Sequence, residues 1–131
     1  MTKTSLNLDE NIESMLCYIG IWITGLVFLF AEKENKTVKF HAKQSLFFFL
    51  PLNILGILFW WIGSPKVTYS TVNLGYGVSG TLPTWDPGIP ALVWISWIIW
   101  IIMLIFFVIF IITAYQGQKF KVPIIGDLAE K

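Results

Sequence analysis

The chain has 131 residues, of which 56% are hydrophobic and 13% are charged, and its formal net charge is +1. Because soluble domains carry about 25% charged residues, this composition excludes an ordinary water-soluble domain and indicates an integral membrane protein. The near-neutral charge provides no basic face for nucleic acid. The single cysteine, Cys17, excludes an intrachain disulfide and a cysteine-based metal cluster.

The first apolar run, residues 14–31, follows a polar, acidic N-terminal segment that lacks the basic start of a cleavable signal peptide. It holds 18 uncharged residues, which predicts one transmembrane helix across a bilayer core of about 30 Å. Gly20 and Thr24 are small residues one helical turn apart, with Gly25 beside them. Such pairs let helices approach closely, so we interpret them as a helix–helix seam.

The second apolar run begins beside the only histidine of the chain, His41. Lys39 and Lys43 lie four positions apart on one helical face and can extend toward lipid phosphates, while Phe40 enters the acyl region. We expect His41 to be a partly hydrated interface residue, hydrogen-bonded to a neighbour or to the C-terminal tail. A ligand or proton-relay role is the alternative.

Residues 45–62 are predicted to form the second transmembrane helix. Within it, Pro51 removes a backbone hydrogen bond, Asn53 adds a polar side chain, and Gly56 permits close approach of another helix. We interpret these three residues as a packing kink in which Asn53 bonds to another helix. A substrate site is the alternative.

Residues 63–88 form a connection that is too long to be structureless in a small protein. Alternating residues near Tyr69 and turn-forming glycines predict a β-hairpin or small lid on the outer, extracytoplasmic face. Its side chains Tyr69, Tyr76 and Trp85 could dock on lipid headgroups or on a partner protein.

The third predicted transmembrane helix spans residues 89–114. Its length of about 39 Å exceeds the hydrocarbon core, so we expect it to tilt or to project. Trp94, Trp97 and Trp100 recur every three residues and give this helix an aromatic flank. We expect the flank to pack against another subunit or lipid; a ligand cage is the alternative.

Lysine counts predict the orientation in the cell membrane. Seven lysines lie in the 31–44 connection and the tail at 115–131, against two in the N-terminal segment and the 63–88 connection. This distribution predicts a single membrane domain, residues 1–131, with the N-terminus outside, three transmembrane helices and a cytoplasmic, amphipathic C-terminal tail.

Two motifs carry a family resemblance: F-H-A-K-Q-S at residues 40–45, and A-Y-Q-G followed by P-I-I-G-D at residues 114–127. They resemble a family of small prokaryotic membrane proteins of unknown function, loosely grouped with the chloroplast import component Tic-twenty and with magnetosome membrane proteins. The resemblance implies a helical membrane fold and no particular reaction.

The resemblance also marks residues of the tail, namely Pro123, Gly126 and Asp127. Asp127 with Glu130 resembles a capping box that opens a short terminal helix. We expect the tail to pack near His41 and Gln44, which would bring both motifs into one cluster.

We identify no paired carboxylates in or near a predicted span, no Ser-His-Asp arrangement and no histidine pair for a metal, so we expect neither enzymatic activity nor a cofactor or metal. The leading hypothesis is a small structural or accessory subunit of a larger membrane assembly, or a homo-oligomer. Its expected partners are membrane lipid and other membrane protein subunits or further copies of itself. A channel-like component for transport or protein import is the alternative.

Overall fold

The structure is a computed structural model that describes residues 4–130, without the side chain of Glu130. Residues 1–3 and 131, which belong to the predicted domain and tail, lie outside the described residues. The described chain is mostly helical, with one two-stranded sheet. In chain order its elements are α1 (Glu10–Ile19), α2 (Trp22–Ala31), α3 (Lys36–Gly63), β1 (Lys66–Asn73), β2 (Ser79–Asp86), α4 (Pro90–Tyr115) and α5 (Ile125–Glu130).

The prediction of one continuous helix at residues 14–31 is wrong, because the run is broken at Gly20 and Ile21. Ile21 has a φ of 59°, a backbone conformation that β-branched residues rarely adopt and that ends a helix. Thr24 bridges the break: its Oγ1 accepts from the Gly20 N–H at 3.0 Å and donates to the Cys17 carbonyl at 3.1 Å. Gly20 and Thr24 therefore form a turn, while Gly25, the third residue of the predicted seam, does lie at a close helix–helix contact: a Cβ there would be 2.9 Å from the Ala42 carbonyl.

Beyond the break, α2 runs back alongside α1 as a helical hairpin. Cys17 in α1 and Phe28 in α2 pack in the same cluster against the start of α3. Glu32, just past α2, accepts hydrogen bonds from the backbone and hydroxyl of Ser5, which precedes α1. Helices α1 and α2 have 10 residues each, so each is about 15 Å long, which is half the thickness of a bilayer core.

The two long helices, α3 and α4, pack against each other and are each long and apolar enough to cross a membrane. Asn35 caps α3 by accepting from the Thr37 and Val38 N–H groups, so α3 begins well before the predicted residue 45. Pro51 lies inside α3 and does not end it. Pro90 starts α4, where its fixed φ suits the first helical position.

The predicted β-hairpin is confirmed between α3 and α4. Strands β1 and β2 are antiparallel, and Lys66 is opposite Asp86 while Asn73 is opposite Ser79. The turn between them uses positive φ angles at Gly75, Tyr76 and Gly77. At the base of the hairpin, the ammonium group of Lys66 in β1 lies 4.2 Å from the centroid of the Trp61 ring in α3. Apart from this contact, neither strand packs on a helix among the described elements.

We call the end of the molecule that holds the start of α1, the end of α2, the start of α3 and the C-terminal tail the basal end. The opposite end, which carries β1 and β2, is the hairpin end. The main core lies toward the basal end, where Tyr18, Phe49 and Phe110 are buried together. Within residues 4–130, six lysines belong to basal segments and one, Lys66, belongs to the hairpin end.

The fold-back of α2 places the N-terminal segment beside the C-terminal tail, contrary to the predicted opposite sides. We expect Leu6→Cys and Gln118→Cys, each in a Cys17→Ser background, to react with an impermeant maleimide from the same side of sealed vesicles. Ser79→Cys, at the start of β2 next to the turn of the hairpin, should react only from the other side. Labelling of Leu6→Cys from the Ser79 side would contradict the fold-back.

Candidate functional site

Polar side chains are concentrated in the packed interior of the basal end. We call this set the basal cluster, and every member is at most 1% exposed. Its members are Glu13, Ser14, Tyr18, Glu32, His41 and Gln44. They come from α1, from the end of α2 and from the first turns of α3, because the helical hairpin brings these three segments together.

His41 is paired with Tyr18. The Tyr18 hydroxyl lies 3.0 Å from His41 Nδ1, and the two rings meet edge to face with centroids 5.7 Å apart. The expected hydrogen bond from His41 to a neighbour is therefore confirmed. The expectation of a partly hydrated His41 is wrong, since its ring is 1% exposed and enclosed by α1 and the tail. Among the described residues, its Nε2 has no hydrogen-bond partner.

Gln44 ties the C-terminal tail to α3. Its Nε2 donates to the Phe120 carbonyl at 2.8 Å, a contact between residues 76 positions apart in the chain. Lys119 extends its ammonium group over the Phe40 ring, 5.8 Å from the ring centroid. The predicted packing of the tail near Gln44 is confirmed, so residues of the two sequence motifs lie in one place.

Glu32 fastens the N-terminal segment to the connection before α3. Its carboxylate accepts from the Ser5 backbone at 2.9 Å and hydroxyl at 2.6 Å, and also from the Glu34 and Asn35 N–H groups. Burial acts to raise the pKa of Glu32, but the hydrogen bonds from Ser5, Asn35 and Glu34 outweigh it and lower the pKa to about 2. Glu32 is therefore a charged anchor at neutral pH.

Glu13 differs from Glu32 in its surroundings. Glu13 is fully buried, and neither of its carboxyl oxygens lies within hydrogen-bonding distance and angle of a partner among the described residues. Burial is the largest influence and raises the pKa of Glu13; the nearby Thr4 hydroxyl acts to lower it, and the negative charge of Glu32 raises it further. The surroundings therefore shift the pKa values of the two carboxyl groups in opposite directions, down for Glu32 and up for Glu13.

The basal cluster holds separate segments of the chain together by hydrogen bonds. Its bonds join segments distant in sequence: Ser5 to Glu32, Tyr18 to His41, and Gln44 to Phe120. In residues 4–130, no three His, Cys, Asp or Glu side chains converge as metal ligands. The arrangement holds the N-terminal segment, the helical hairpin and the tail against α3.

The remaining predicted residues of α3 and α4 lie outside the basal cluster. Asn53 lines an apolar groove of about 560 Å³ beyond the tip of the helical hairpin. Trp94 and Trp97 line a smaller groove of about 320 Å³ at the hairpin end. Trp97 also meets Trp100 edge to face, with centroids 5.5 Å apart. The aromatic flank of α4 is therefore largely exposed.

In the tail, helix α5 begins at Ile125, before Asp127, so Asp127 does not open the terminal helix as a capping box would require. Asp127 is an exposed residue of its first turn. Gly126 is buried against Lys121, while Pro123 is exposed. Lys43, the last of the predicted interface residues, is half-buried in α3.

The sequence interpretation missed Glu13, Ser14, Glu32 and the role of Tyr18. A signal was present, because Glu13 and Glu32 bound the first apolar run on either side of Gly20. An acidic residue at each end is compatible with a run that turns back and brings the two ends together.

Comparison with known proteins places these features in a family context. The profile of the magnetosome magnetite crystal formation protein family matches residues 9–129. A UPF0132 membrane protein of Methanocaldococcus jannaschii is 40% identical over 100% of this chain and 94% of its own. A second UPF0132 membrane protein of that organism is 34% identical over 97% of this chain and 72% of its own length. A UPF0132 membrane protein of Archaeoglobus fulgidus is 32% identical over 95% of both chains. No solved structure matches the chain.

The Tyr18–His41 pair yields a stability prediction. Tyr18→Phe removes the hydroxyl and leaves the buried His41 Nδ1 unpaired, so we expect a loss of about 1–3 kcal/mol in the free energy of unfolding. Tyr115→Phe is the matched control, because Tyr115 is 61% exposed and its substitution should cost less than about 0.5 kcal/mol. Denaturant unfolding in one fixed detergent measures both, and equal losses would refute the pairing.

The Glu32 anchor yields a pH prediction. Because its folded-state pKa lies below the ordinary value of 4.5, the stabilisation it provides is complete above about pH 4.5 and is lost as the pH falls toward about 2. The difference in unfolding temperature between the native chain and Glu32→Gln should therefore narrow over that interval. Glu34→Gln, which replaces an exposed neighbour, is the matched control.

Proposed function

This chain belongs to the magnetosome magnetite crystal formation protein family, and from that premise we propose that it is a small, non-enzymatic subunit of a membrane assembly. Its curated relatives are named as membrane proteins, and the chain itself has two helices long and apolar enough to cross a bilayer. On this proposal it acts by binding another membrane protein or a further copy of itself. Catalysis has no part in it.

The proposed topology has two crossings, α3 and α4, with the α1–α2 hairpin entering the bilayer from the basal end and returning. Six of the seven lysines within residues 4–130 belong to basal segments. Since lysine is enriched in cytoplasmic segments, we propose that the basal end faces the cytoplasm of the cell membrane. Both chain termini are then cytoplasmic, and the β-hairpin is extracytoplasmic.

The single observation that carries the proposal is that the β-hairpin, apart from the Lys66–Trp61 contact at its base, packs on no described helix. Its strands have 8 residues each and are about 27 Å long, and they pair only with each other. Two-stranded hairpins are at best marginally stable in water, and additional packing is what stabilises them. A surface contributed by a partner would supply that packing.

The β-hairpin has one apolar face. Residues directly opposite in an antiparallel pair point to the same side, so Val67 with Trp85 and Tyr69 with Pro83 share a face. Three of these side chains are more than half exposed: Val67 at 51%, Tyr69 at 73% and Trp85 at 68%. Exposed Tyr and Trp side chains are typical anchors of protein interfaces, which favours a protein partner.

A conducting oligomer, the alternative function, would need a polar path through α3 and α4. The hydroxyl of Ser96 donates to the Val93 carbonyl, and that of Thr113 donates to the Ile109 carbonyl. Both groups are thus committed within α4, which makes association the better-supported proposal. The mineral in the family's description is not carried over, because the β-hairpin has one acidic side chain, Asp86, and it accepts from the Gly88 N–H.

The apolar face of the β-hairpin can be tested directly. We expect Tyr69→Ser with Trp85→Ser to abolish co-purification of any partner held at fixed stoichiometry, because the face loses both aromatic side chains. Leu82→Ser is the matched control, since Leu82 is 53% exposed on the opposite face. Detergent stability should be the same in all three proteins.

A photo-crosslinking amino acid at Tyr69, introduced into the native membrane, separates two kinds of contact. A protein adduct of defined mass supports the proposal. Adducts to lipid alone would contradict it and would place the apolar face on the membrane surface.

A further inference from the structure

The half-length helical hairpin leaves the bundle incomplete. At the basal end α1, α2 and the tail all pack on α3 and α4, but past the tip of the hairpin α3 and α4 continue without them. The groove of about 560 Å³ lies where the helical hairpin ends and α3 and α4 continue. Its floor is the hairpin tip at Ile19 and Ile21, and its walls come from α3 and α4.

One polar side chain, Asn53, lines this otherwise apolar groove. Asn53 is partly exposed, and within residues 4–130 its amide makes no hydrogen bond. By helical rise it lies about 15 Å from Gly63 at the end of α3, which is half the thickness of the hydrocarbon core. The expected bond from Asn53 to another helix is therefore not made inside this chain.

One turn beyond Asn53, α3 and α4 are in close contact at Gly56. A Cβ atom at Gly56 would lie 2.5 Å from Trp100 Nε1, so the Trp100 indole already fills the space beside Gly56. This contact closes α3 onto α4 on the hairpin side of Asn53. Asn53 itself is one of the residues that line the groove.

The chemistry of Asn53 selects the occupant of the groove. A lipid acyl chain fits the volume but offers neither a donor nor an acceptor, so the amide would remain unpaired in hydrocarbon. A carboxamide has both a donor and an acceptor and is therefore complementary to a second carboxamide. In a two-fold dimer whose axis is normal to the membrane, equivalent side chains meet at the same depth.

We propose that a second copy of this chain docks on the groove in parallel orientation, so that the two Asn53 amides hydrogen-bond to each other near the bilayer midplane. This inference rests on the proposed association of the chain and names one surface for it. The surface is independent of the β-hairpin, so an outer partner and a second copy can be bound together.

Disulfide trapping tests the geometry. In a Cys17→Ser background in liposomes, Asn53→Cys should form the cross-linked dimer at least about tenfold faster than Ile54→Cys. Ile54 lies at the same depth and is 56% exposed, but it is on a different face of α3. Equal rates for the two variants would overturn the proposed surface.

The dissociation constant of the dimer tests the hydrogen bond between the two Asn53 amides. It can be measured by energy transfer between labelled copies while the protein is diluted in lipid. Asn53→Leu should weaken the dimer about three- to tenfold, in line with polar contacts between membrane helices. Asn53→Gln, which retains the amide, should weaken it less. Normal unfolding temperatures would confirm that each variant folds.

The results separate this inference from the proposed function. If the chain dimerises but Asn53→Leu has no effect, the groove is not the interface, although association stands. If the protein stays monomeric at high density while still binding a partner through the β-hairpin, lipid fills the groove and the inference fails alone. If neither association occurs, the proposed function fails as well.

Discussion

The interaction on which the rest of the structure depends is the closure of the turn between α1 and α2. Breaking a helix inside an apolar environment frees backbone groups that lipid cannot satisfy. Thr24 satisfies two of them, accepting from Gly20 and donating to Cys17, while Ser45 of α3 donates to the Ile21 carbonyl. Three side-chain bonds thus allow the chain to reverse where it would otherwise continue across the membrane. Gly25 completes the arrangement, because a Cβ there would lie 2.9 Å from the Ala42 carbonyl and would push α2 away from α3.

The reversal of the chain explains why polar groups are buried at the basal end. It returns Glu32 to the level of Ser5 and Glu13, and it places Tyr18 against His41. A straight helix would have carried these residues to opposite surfaces. Buried polar groups are costly when unpaired, so the pairs formed there favour one arrangement of the segments over others. The Gln44 bond to Phe120 extends the same arrangement to the tail.

Much of the fold could be predicted from the sequence, because hydropathy and turn residues report local properties. The apolar content of α3 and α4, the hairpin strands and the meeting of Gln44 with the tail were all accessible in this way. The reversal at Ile21 was not, because hydropathy measures how apolar a run is and not whether its backbone is continuous. Eighteen residues is close to the minimum for a crossing, and a run of that length with Gly20 near its middle fits a hairpin as well as a span. The error then propagated to the predicted side of the N-terminus.

The same reversal accounts for the unequal packing of the two ends. Tyr18, Phe49 and Phe110 are each at most 1% exposed in the core toward the basal end, whereas at the hairpin end Trp61 is 61% and Trp94 is 71% exposed. Lipid can cover apolar surface at little cost, so exposure in itself does not demand a partner. An unpaired amide at Asn53 and a β-hairpin without a supporting layer are different, because lipid supplies neither a hydrogen bond nor a folded surface. Both features lie beyond the tip of the short helical hairpin, where α1 and α2 no longer pack on α3 and α4. The chain is therefore packed more tightly at its basal end, and both features on which the proposed association rests lie toward its hairpin end.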